Sequence, residues 1–468
     1  MTTFPRLSTA SIGRNKDAPR VWLEGRYLLD AGFTPGCHIE VEFTAGRIII
    51  KLASNGPRIV SSKKQGQIPV VDLNSTAIST TFGLAIATVQ VHVSHGEIVL
   101  TPTLTDTLRS TRCKNGSEGS AFSGGGLLTE AAKQAGFTPA FAIEVDERYA
   151  AIYERNHPEA KMFNLSIEDV PLDALPQVEL LTLGIPCEPY SRARTLDRGT
   201  GAKRDRSLPP EAHPLADLTI WAALLIRQVN PATIVIEEAP DYLTSGAGFM
   251  LRLFLERAGY FVHAAVLDPT LYGELTGRKR TVMVATSEPG FQWPTTTPCT
   301  KTFGDIADPP DLVENQYFTA DEKPWLVNHW NEQTRKGNGF APPQLTDHST
   351  KVPVIRKRYL SQQGDGVVVK HPTRAECWRW LTVNEIKKLH GVPPSYYLGE
   401  EKSKTGAGEI LGQGVIVSFF QKIISAARNF YTNGPTPTTL HLENSPSSPR
   451  RDLPTPSSAI NQLGLAFT

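Results

Sequence analysis

One cysteine lies in a local sequence that suits a nucleophile. Cys187 follows the apolar run Val178–Leu183, which is short enough to be a buried strand, and Gly184 and Pro186 end that strand in a turn. Pro186 fixes its own φ and restricts Ile185, so the thiol is held beyond the carboxyl end of the strand, where α/β sheets bind ligands. A free cysteine taken alone is more often a small buried hydrophobe, and both interpretations stay open at this point.

Charged side chains at two other strand ends could act with this thiol. One β-rich run ends in Glu237 and Glu238, and a basic segment with Arg278 and Arg280 leads into a further strand. Alternate residues of an extended chain share a face, so the two arginines could reach one ligand together. The alternative is that these residues are solvated strand ends.

A glycine-rich turn followed by acids indicates a nucleoside cofactor. The segment Phe122–Leu128 precedes a helical run, and glycine lets the backbone approach a ligand closely at a helix start. A second strand-like run then ends in Glu144 and Asp146, where an acid can bind ribose hydroxyls. No P-loop lysine accompanies this turn, which argues against a nucleoside triphosphate.

The elements that would position these residues alternate as in an α/β sheet. Strand-like and helical runs alternate from about 120 to 287, and a helical ending follows from about 381 to 430. The intervening segment is irregular and rich in Pro, Thr and Asp. We therefore predict an N-terminal all-β domain at 1–104, a linker at 105–118, a catalytic domain at 119–287 and 376–431, an inserted irregular domain at 288–375, and a disordered tail at 432–468.

The predicted N-terminal domain contains an internal repeat with a spacing of 50 residues. Val21 and Leu23, for example, recur as Val71 and Leu73. Each copy ends in two alternating strands around an X-Gly turn, which is a strong hairpin signal. A single hairpin is marginally stable, so we expect the two copies to pack on one core.

Composition gives the class of protein. The chain of 468 residues has a formal net charge of +1, so any basic surface that binds nucleic acid must be local. Five scattered cysteines without C-x-x-C spacing argue against a metal site or a disulfide framework. With no apolar leader at the N-terminus, we expect a cytoplasmic protein that does not bind a membrane.

Taken in order, the motifs resemble those of the DNA (cytosine-5)-methyltransferases. They are the FxGxG turn, the acid after the second strand, the Pro-Cys turn, the PxxxxxE strand, the RxR segment, the RxLT element at Arg379–Thr382 and the closing element at Leu411–Val415. Thr382 and Glu385 also form a predicted helix-starting capping box. The resemblance implies a doubly wound, Rossmann-like methyltransferase sheet that binds S-adenosyl-L-methionine, with residues 288–375 as the target-recognition domain.

The resemblance also implies a role for each matching residue. Cys187 would attack carbon 6 of a flipped cytosine, Glu237 would bind N3 and the exocyclic amine, and Arg280, with Arg278 behind it, would hold O2. The cofactor positions would be Phe122, Gly124, Gly126, Glu144, Asp146, Pro186, Leu218 and Gln413. A basic loop closing over DNA would contain Ser191, Arg192, Arg194, Arg198, Lys203, Arg204 and Arg206.

Several positions depart from the family pattern. Residues 115–121 form a poor first strand without an apolar run, and Asn164–Ile167 lacks the usual acid after the third strand. The remaining departures are Leu127 for the second Gly of GxGG, Glu188 for Gln, Glu238 for Asn, Thr276 for Gln, and Gln413 for Asn. A carboxylate at Glu188 should raise the pKa of Cys187 unless an arginine offsets it.

The N-terminal unit 19–36 resembles SymE-like proteins of the AbrB-type swapped-hairpin class, whose members usually dimerise to bind DNA. The tandem repeat would be such a dimer in one chain, and could bind operator DNA at the enzyme's own promoter. A β domain for oligomerisation or folding remains the alternative, because Lys and Arg exceed Asp and Glu by only three through residue 110.

These observations favour a DNA cytosine-5 methyltransferase of a bacterial restriction-modification setting, monomeric on double-stranded DNA. One alternative is a tRNA cytosine-5 methyltransferase with the same motifs. The other is a catalytically decayed DNA-binding or regulatory protein on the same scaffold.

Overall fold

A computed structural model describes residues 5–63, 67–83, 86–190, 209–337, 343–362, 364, 366–399 and 404–433. Three β-sheets of nine, seven and four strands follow one another along these parts of the chain. The predicted basic loop and nearly all of the predicted tail lie outside the described residues.

The N-terminal region is a nine-stranded sheet in the order β5-β3-β4-β9-β8-β1-β2-β7-β6. Its strands are β1 (Arg6–Asn15), β2 (Ala18–Glu24), β3 (His38–Thr44), β4 (Arg47–Leu52), β5 (Arg58–Ile59), β6 (Ser61–Lys63), β7 (Ile68–Asn74), β8 (Thr88–Ser94) and β9 (Glu97–Pro102). Its helices are α1 (Arg26–Asp30), α2 (Ala77–Phe82) and α3 (Leu104–Ser110). The two hairpins expected from the X-Gly turns are β3–β4 and β8–β9.

The two sequence repeats pair with each other about an internal two-fold axis. In β2 and β7, Val21 is opposite Leu73 and Leu23 is opposite Val71, so equivalent positions exchange partners. The strands β4 and β9 pair in the same reciprocal register. One buried cluster, with members from residue 21 to residue 100, draws side chains from both copies. The expectation of a shared core is therefore confirmed.

A seven-stranded sheet in the order β12-β11-β10-β13-β14-β16-β15 forms the centre of the molecule. Its strands are β10 (Ser117–Ala121), β11 (Thr138–Ile143), β12 (Lys161–Phe163), β13 (Leu180–Gly184), β14 (Thr233–Glu238), β15 (Phe261–Leu267) and β16 (Arg280–Thr286). The helices among them are α4 (Leu127–Gln134), α5 (Glu147–Asn156), α6 (Leu218–Val229) and α7 (Gly246–Arg257). Only β16 runs antiparallel to its neighbours, so it begins at the edge where the parallel strands end.

Helices cover both faces of this sheet. Leu127 of α4 shares one buried cluster with Val282 of β16, whereas Leu225 of α6 and Leu251 of α7 share the other with Leu183 of β13. This is the doubly wound arrangement that alternating strands and helices predict.

The expectation that residues 115–121 form a poor strand is wrong, because Ser117–Ala121 is a central strand paired on both sides. Its polar composition is accommodated by specific contacts. The buried Glu118 accepts a hydrogen bond from Thr182 at 2.5 Å. A side chain at Gly119 would meet the ring of Phe141 within 2.3 Å, so only glycine fits there. Tertiary packing has overridden the weak local propensity.

A third sheet in the order β17-β20-β19-β18 follows, with strands β17 (Phe318–Thr319), β18 (Gln344–Leu345), β19 (Val368–Lys370) and β20 (Cys377–Arg379). It is accompanied by helices α8 (Pro310–Val313) and α9 (Pro324–Arg335), and the chain continues with α10 (Val383–His390), α11 (Lys404–Gln413) and α12 (Val417–Asn433). The predicted capping box of Thr382 and Glu385 is present at the start of α10. The strand β20 lies wholly after residue 375, so the sheet crosses the boundary that the sequence predicts at 375. The domain limits stay predictions.

Within the described residues no single helix is long and apolar enough to cross a membrane. Two helical segments joined by a bend, Gly406–Gln413 and Val417–Asn429, are together long and apolar enough for a membrane span, by length and composition only. Phe419 and Phe420 of that pair are buried in the same cluster as Leu127 of α4.

Candidate active site

A cavity of about 710 Å³ lies at the carboxyl edge of the seven-stranded sheet. Segments after β10, β11, β12 and β13, the end of β14, the start of β16 and helix α11 form its wall. Ten of the predicted site residues line it: Phe122, Gly124, Glu144, Asp146, Pro186, Cys187, Leu218, Glu237, Arg280 and Gln413. The structure therefore brings together residues that are almost 300 positions apart in the sequence.

Glu237 and Arg280 form an ion pair on neighbouring antiparallel strands. Nε of Arg280 donates to Oε1 of Glu237 at 2.5 Å. Both side chains are largely buried, with 16% of the Arg280 surface and 13% of the Glu237 surface exposed. A charge-assisted hydrogen bond of this kind fixes the orientation of the carboxylate toward the cavity.

Cys187 follows β13 in a turn that is closed by the Tyr190 amide, which donates to the Cys187 carbonyl oxygen at 3.1 Å. The residue is open to the cavity, yet the protein around the thiol removes much of its hydration. This desolvation, with the negative charges of Glu237, Glu238 and Glu188, raises the pKa of Cys187 to about 12, while Arg280 acts in the opposite direction. The expected effect of Glu188 is present, and Arg280 does not offset it.

Arg278 is held by backbone carbonyl oxygens, and the expectation that it shares a ligand with Arg280 stays a prediction. The Arg278 guanidinium donates to the carbonyl oxygens of Gly412 at 2.9 Å and Gln413 at 2.8 Å, at the end of α11. Arg278 precedes β16, so the alternation of a strand does not govern where its side chain points. It ties the start of β16 to the last turn of α11, whose carbonyls lack partners within the helix.

Gly126 does not belong to the cavity wall itself, and its contact with the cofactor stays a prediction. It is the N-cap of α4 with a φ of +88°, and a Cβ there would lie 2.8 Å from the His157 ring. Its glycine is needed for the backbone conformation and for packing against His157. Gly125, together with Gly124, presents the turn to the cavity instead.

The two acids after β11 have different surroundings. Glu144 is buried, and its carboxylate accepts from the backbone amides of Gly124 at 2.7 Å and Asp146 at 2.9 Å. It thereby joins the glycine-rich turn to the end of β11. Burial raises the pKa of Glu144, against these hydrogen bonds. Asp146 caps α5 and binds Arg148, and the Arg148 hydrogen bonds lower the pKa of Asp146.

Sequence reasoning missed part of the cavity wall. Tyr149 lies there and donates to Glu409 of α11 at 3.1 Å. Lys357 also lines the cavity, although it belongs to the predicted inserted domain. After β12 the wall includes Leu165–Glu168, at the position where a family acid seemed absent. The position of Leu165–Glu168 after the carboxyl end of a third parallel strand could have predicted that this segment lines the cavity.

The predicted DNA-contacting residues Ser191, Arg192, Arg194, Arg198, Lys203, Arg204 and Arg206 lie outside the part of the chain that the structure describes. Their contact with DNA stays a prediction.

The family model for C-5 cytosine-specific DNA methylases matches residues 119–429. The chain belongs to this family. Type II methyltransferase M.DsaV of Dactylococcopsis salina is 24% identical over 294 residues, which are 60% of this chain and 77% of the relative. Type II methyltransferase M.MspI of Moraxella sp is 24% identical over 310 residues, 64% of this chain and 68% of the relative.

Solved methyltransferases share the fold of this DNA methylase. The Dnmt2 methyltransferase of S. pombe has a TM-score of 0.52 and 17% identity, covering 68% of this chain and 99% of its own. EhMeth of Entamoeba histolytica has a TM-score of 0.53 and 17% identity, covering 69% and 99%. At this identity the likeness concerns the fold alone.

The methylase is a DNA (cytosine-5-)-methyltransferase, and S-adenosylmethionine is its methyl donor. The cavity fits that donor in size, since ligand pockets usually span roughly 300–1,000 Å³. It also fits in chemistry. The buried carboxylate of Glu144 can accept hydrogen bonds from the ribose hydroxyls, and Phe122 and Leu218 offer apolar surface.

Proposed function

We propose that the methylase acts on a cytosine flipped out of duplex DNA, with Cys187 as the nucleophile. The observation that carries this proposal is the meeting of Cys187, Glu237 and Arg280 in the cavity that also contains the cofactor residues. A cytosine within a duplex cannot reach the floor of such a cavity unless it leaves the stack.

Attack of the Cys187 sulfur on carbon 6 would break the carbon 5–carbon 6 double bond, form a covalent adduct and make carbon 5 nucleophilic. Once carbon 5 carries the methyl group, loss of its proton and elimination of the Cys187 thiolate would restore the double bond and release the enzyme. S-adenosylmethionine, when bound, supplies the methyl group as part of a sulfonium. Since the thiolate is the reactive form, the raised pKa of Cys187 means that the free protein holds mostly thiol. Substrate binding or a nearby cation must therefore favour the thiolate before attack.

Glu237 would bind N3 and the exocyclic amine of the flipped base, while Arg280 would hold O2. The 2.5 Å ion pair between them supports these roles, because it orients both groups before the base arrives. Charge that develops on the ring would then meet fixed partners.

We further propose that residues 288–375 form the target-recognition domain, and that residues 191–206 contact the DNA phosphates. Six basic residues in that loop favour phosphate contact. The Type II names of the relatives support a restriction-modification role. We also propose that the methylase acts as a monomer on DNA and in the cytoplasm.

Parallel methyl-transfer assays on duplex DNA and on tRNA separate the proposal from its alternatives. Transfer to cytosine in DNA alone is the expected result, and bisulfite sequencing of DNA from an expressing host would map the site. Transfer to tRNA alone would favour the RNA enzyme. Absence of transfer and of any covalent adduct on both substrates would favour a decayed scaffold.

For the N-terminal sheet we propose operator binding, supported by its internal two-fold pairing. Its buried cluster lies entirely within residues 21–100, so residues 1–110 retain that core as a fragment. A gel shift of this fragment on the enzyme's own promoter should show binding at low salt. No shift with the folded fragment would leave the oligomerisation or folding role instead.

A further inference from the structure

Glu238 is a buried carboxyl group directly behind the proposed catalytic ion pair. It is the last residue of β14, and its side chain is fully buried. Successive side chains of a strand point to opposite faces, so Glu237 faces the cavity while Glu238 points into the other layer. There it lies close enough to Tyr190 and Tyr242 to raise the pKa of both hydroxyls.

The Glu238 carboxyl group has few partners. Its Oε2 accepts from the Ala239 amide, and its buried Oε1 has no hydrogen-bond partner among the described residues. The Arg280 guanidinium donates to Glu237 at 2.5 Å and to the Lys279 carbonyl oxygen at 2.8 Å. An ionised carboxylate with a buried, unpartnered oxygen is costly, and protonation removes the charge.

We propose that Glu238 is a positioning residue of the methyl-transfer site, held as a neutral carboxylic acid so that Arg280 pairs with Glu237 alone. This inference rests on the proposed roles of Glu237 and Arg280. Its pKa agrees with the geometry. Burial raises the pKa of Glu238 to about 9, helped by the charges of Glu237 and Glu188 and opposed by the Ala239 amide and Arg280.

Neutrality at this position preserves the electrostatics of the site. In the described part of the chain, the titratable groups around Glu238 are Glu237 of β14, Arg280 of β16, Tyr242 after β14, and Cys187, Glu188 and Tyr190 after β13. A charged Glu238 would compete with Glu237 for Arg280, and its charge is one of those that raise the pKa of Cys187. A protonated acid instead supplies a neutral polar side chain where the family resemblance leads one to expect the amide of Asn.

The test is the pH profile of methyl transfer by the full-length protein, with kcat and KM measured separately. Relative to Glu238→Gln, in which Cys187 titrates as well, the wild-type kcat should decline as pH rises through the Glu238 pKa near 9. Glu238→Gln, which matches the neutral acid in shape, should keep the neutral-pH rate within a factor of about three and lose this decline. The control Glu188→Gln removes an exposed carboxylate from the same site and should retain the decline.

Two results would overturn the proposal. One is a folded Glu238→Gln protein whose kcat falls about a hundredfold or more at every pH, which would mean that an ionised carboxylate is needed. The other is the same alkaline decline in the wild type and in Glu238→Gln. If Glu238→Gln does not fold, Glu238→Asn introduces the amide expected from the family and replaces it in the test.

Thermal unfolding supplies a readout that does not depend on activity. A pKa raised in the folded state means that the wild type loses stability relative to the amide variant as pH rises from about 4.5 toward about 9. If the unfolding temperatures of the wild type and Glu238→Gln changed with pH in parallel, Glu238 would not be neutral in the folded protein. If the wild type neither methylates nor traps DNA, the proposed function fails, and this comparison still tests the proton on Glu238.

Discussion

Arg280 donates to Glu237 at 2.5 Å across two antiparallel strands, although the two residues are separated by 43 positions in the chain. The pairing of β14 with β16 creates this contact, because β16 starts at the edge where β14 ends. The register places Val282 opposite Glu237, and the long Arg280 side chain reaches back along the strand to the carboxylate. A cation and an anion are thereby fixed beside the Cys187 thiol.

Replacing Glu237 by Gln should lower the rate of methyl transfer by roughly 10²–10⁴-fold, because the acid that binds N3 and the exocyclic amine is lost together with the partner of Arg280. Tritiated methyl transfer under saturating substrates measures this. Asp241→Asn is the matched control, since Asp241 is an exposed acid just after the same strand and should have little effect. An unchanged rate in a folded Glu237→Gln protein would contradict the assigned role.

The Cys187 thiol should react slowly with iodoacetamide in the free enzyme at neutral pH, because a pKa near 12 leaves little thiolate. The rate should increase with pH, and Glu188→Gln should increase it at every pH by removing one negative charge. Peptide mass spectrometry follows Cys187 separately from the half-buried Cys299, whose rate serves as the internal reference. An equal or slower Cys187 rate in Glu188→Gln would argue against this electrostatic account.

Glu144→Gln should weaken S-adenosylmethionine binding about tenfold or more, equivalent to about 1.4 kcal/mol. The carboxylate holds two backbone amides at the cavity wall and offers an acceptor to ribose hydroxyls. Isothermal calorimetry measures the affinity. Glu147→Gln changes a neighbouring exposed acid outside the cavity and should bind the cofactor normally. Equal affinity of the two variants would remove Glu144 from the binding site.

Glu118 should make the stability of the fold depend on pH. Burial, opposed by the hydrogen bonds of Thr182 and Thr129, raises its pKa from 4.5 to about 7. The folded state therefore keeps the proton of Glu118 to higher pH than the unfolded state does. The contribution of this proton to the free energy of unfolding is fully present below the unfolded pKa and is lost as pH rises toward 7, a change of about 3 kcal/mol. Glu118→Gln should lack this loss in unfolding experiments across that window. If the stabilities of the wild type and Glu118→Gln changed with pH in parallel, Glu118 would be ionised in the folded state.

Much of the site was predictable because its residues follow recognisable strands. The carboxyl ends of parallel strands meet at one edge, so Phe122, Glu144, Cys187 and Glu237 were expected together from their positions alone. Their motif order then indicated the chemistry. The N-terminal pairing was predictable for a similar reason, since two equal hairpins share a core most simply about a two-fold axis.

Sequence reasoning fell short where long-range packing decides the structure. The strand Ser117–Ala121 lacks an apolar run but is held by neighbours on both sides. Arg278 binds carbonyls of α11, which is more than 130 positions away in the sequence. Gly126 packs so closely against His157 that a larger residue would not fit there. No local pattern carries these contacts, because each depends on a partner that only the folded chain brings near.

The most direct test of the account is covalent trapping on duplex DNA in which 5-fluorocytosine replaces cytosine, with S-adenosylmethionine present. Fluorine at carbon 5 blocks completion of the reaction, so an enzyme that attacks carbon 6 stays attached to the DNA. We predict a denaturation-resistant complex with the wild type and none with Cys187→Ser. A folded wild type that forms no complex, or a complex that survives in Cys187→Ser, would contradict Cys187 as the nucleophile.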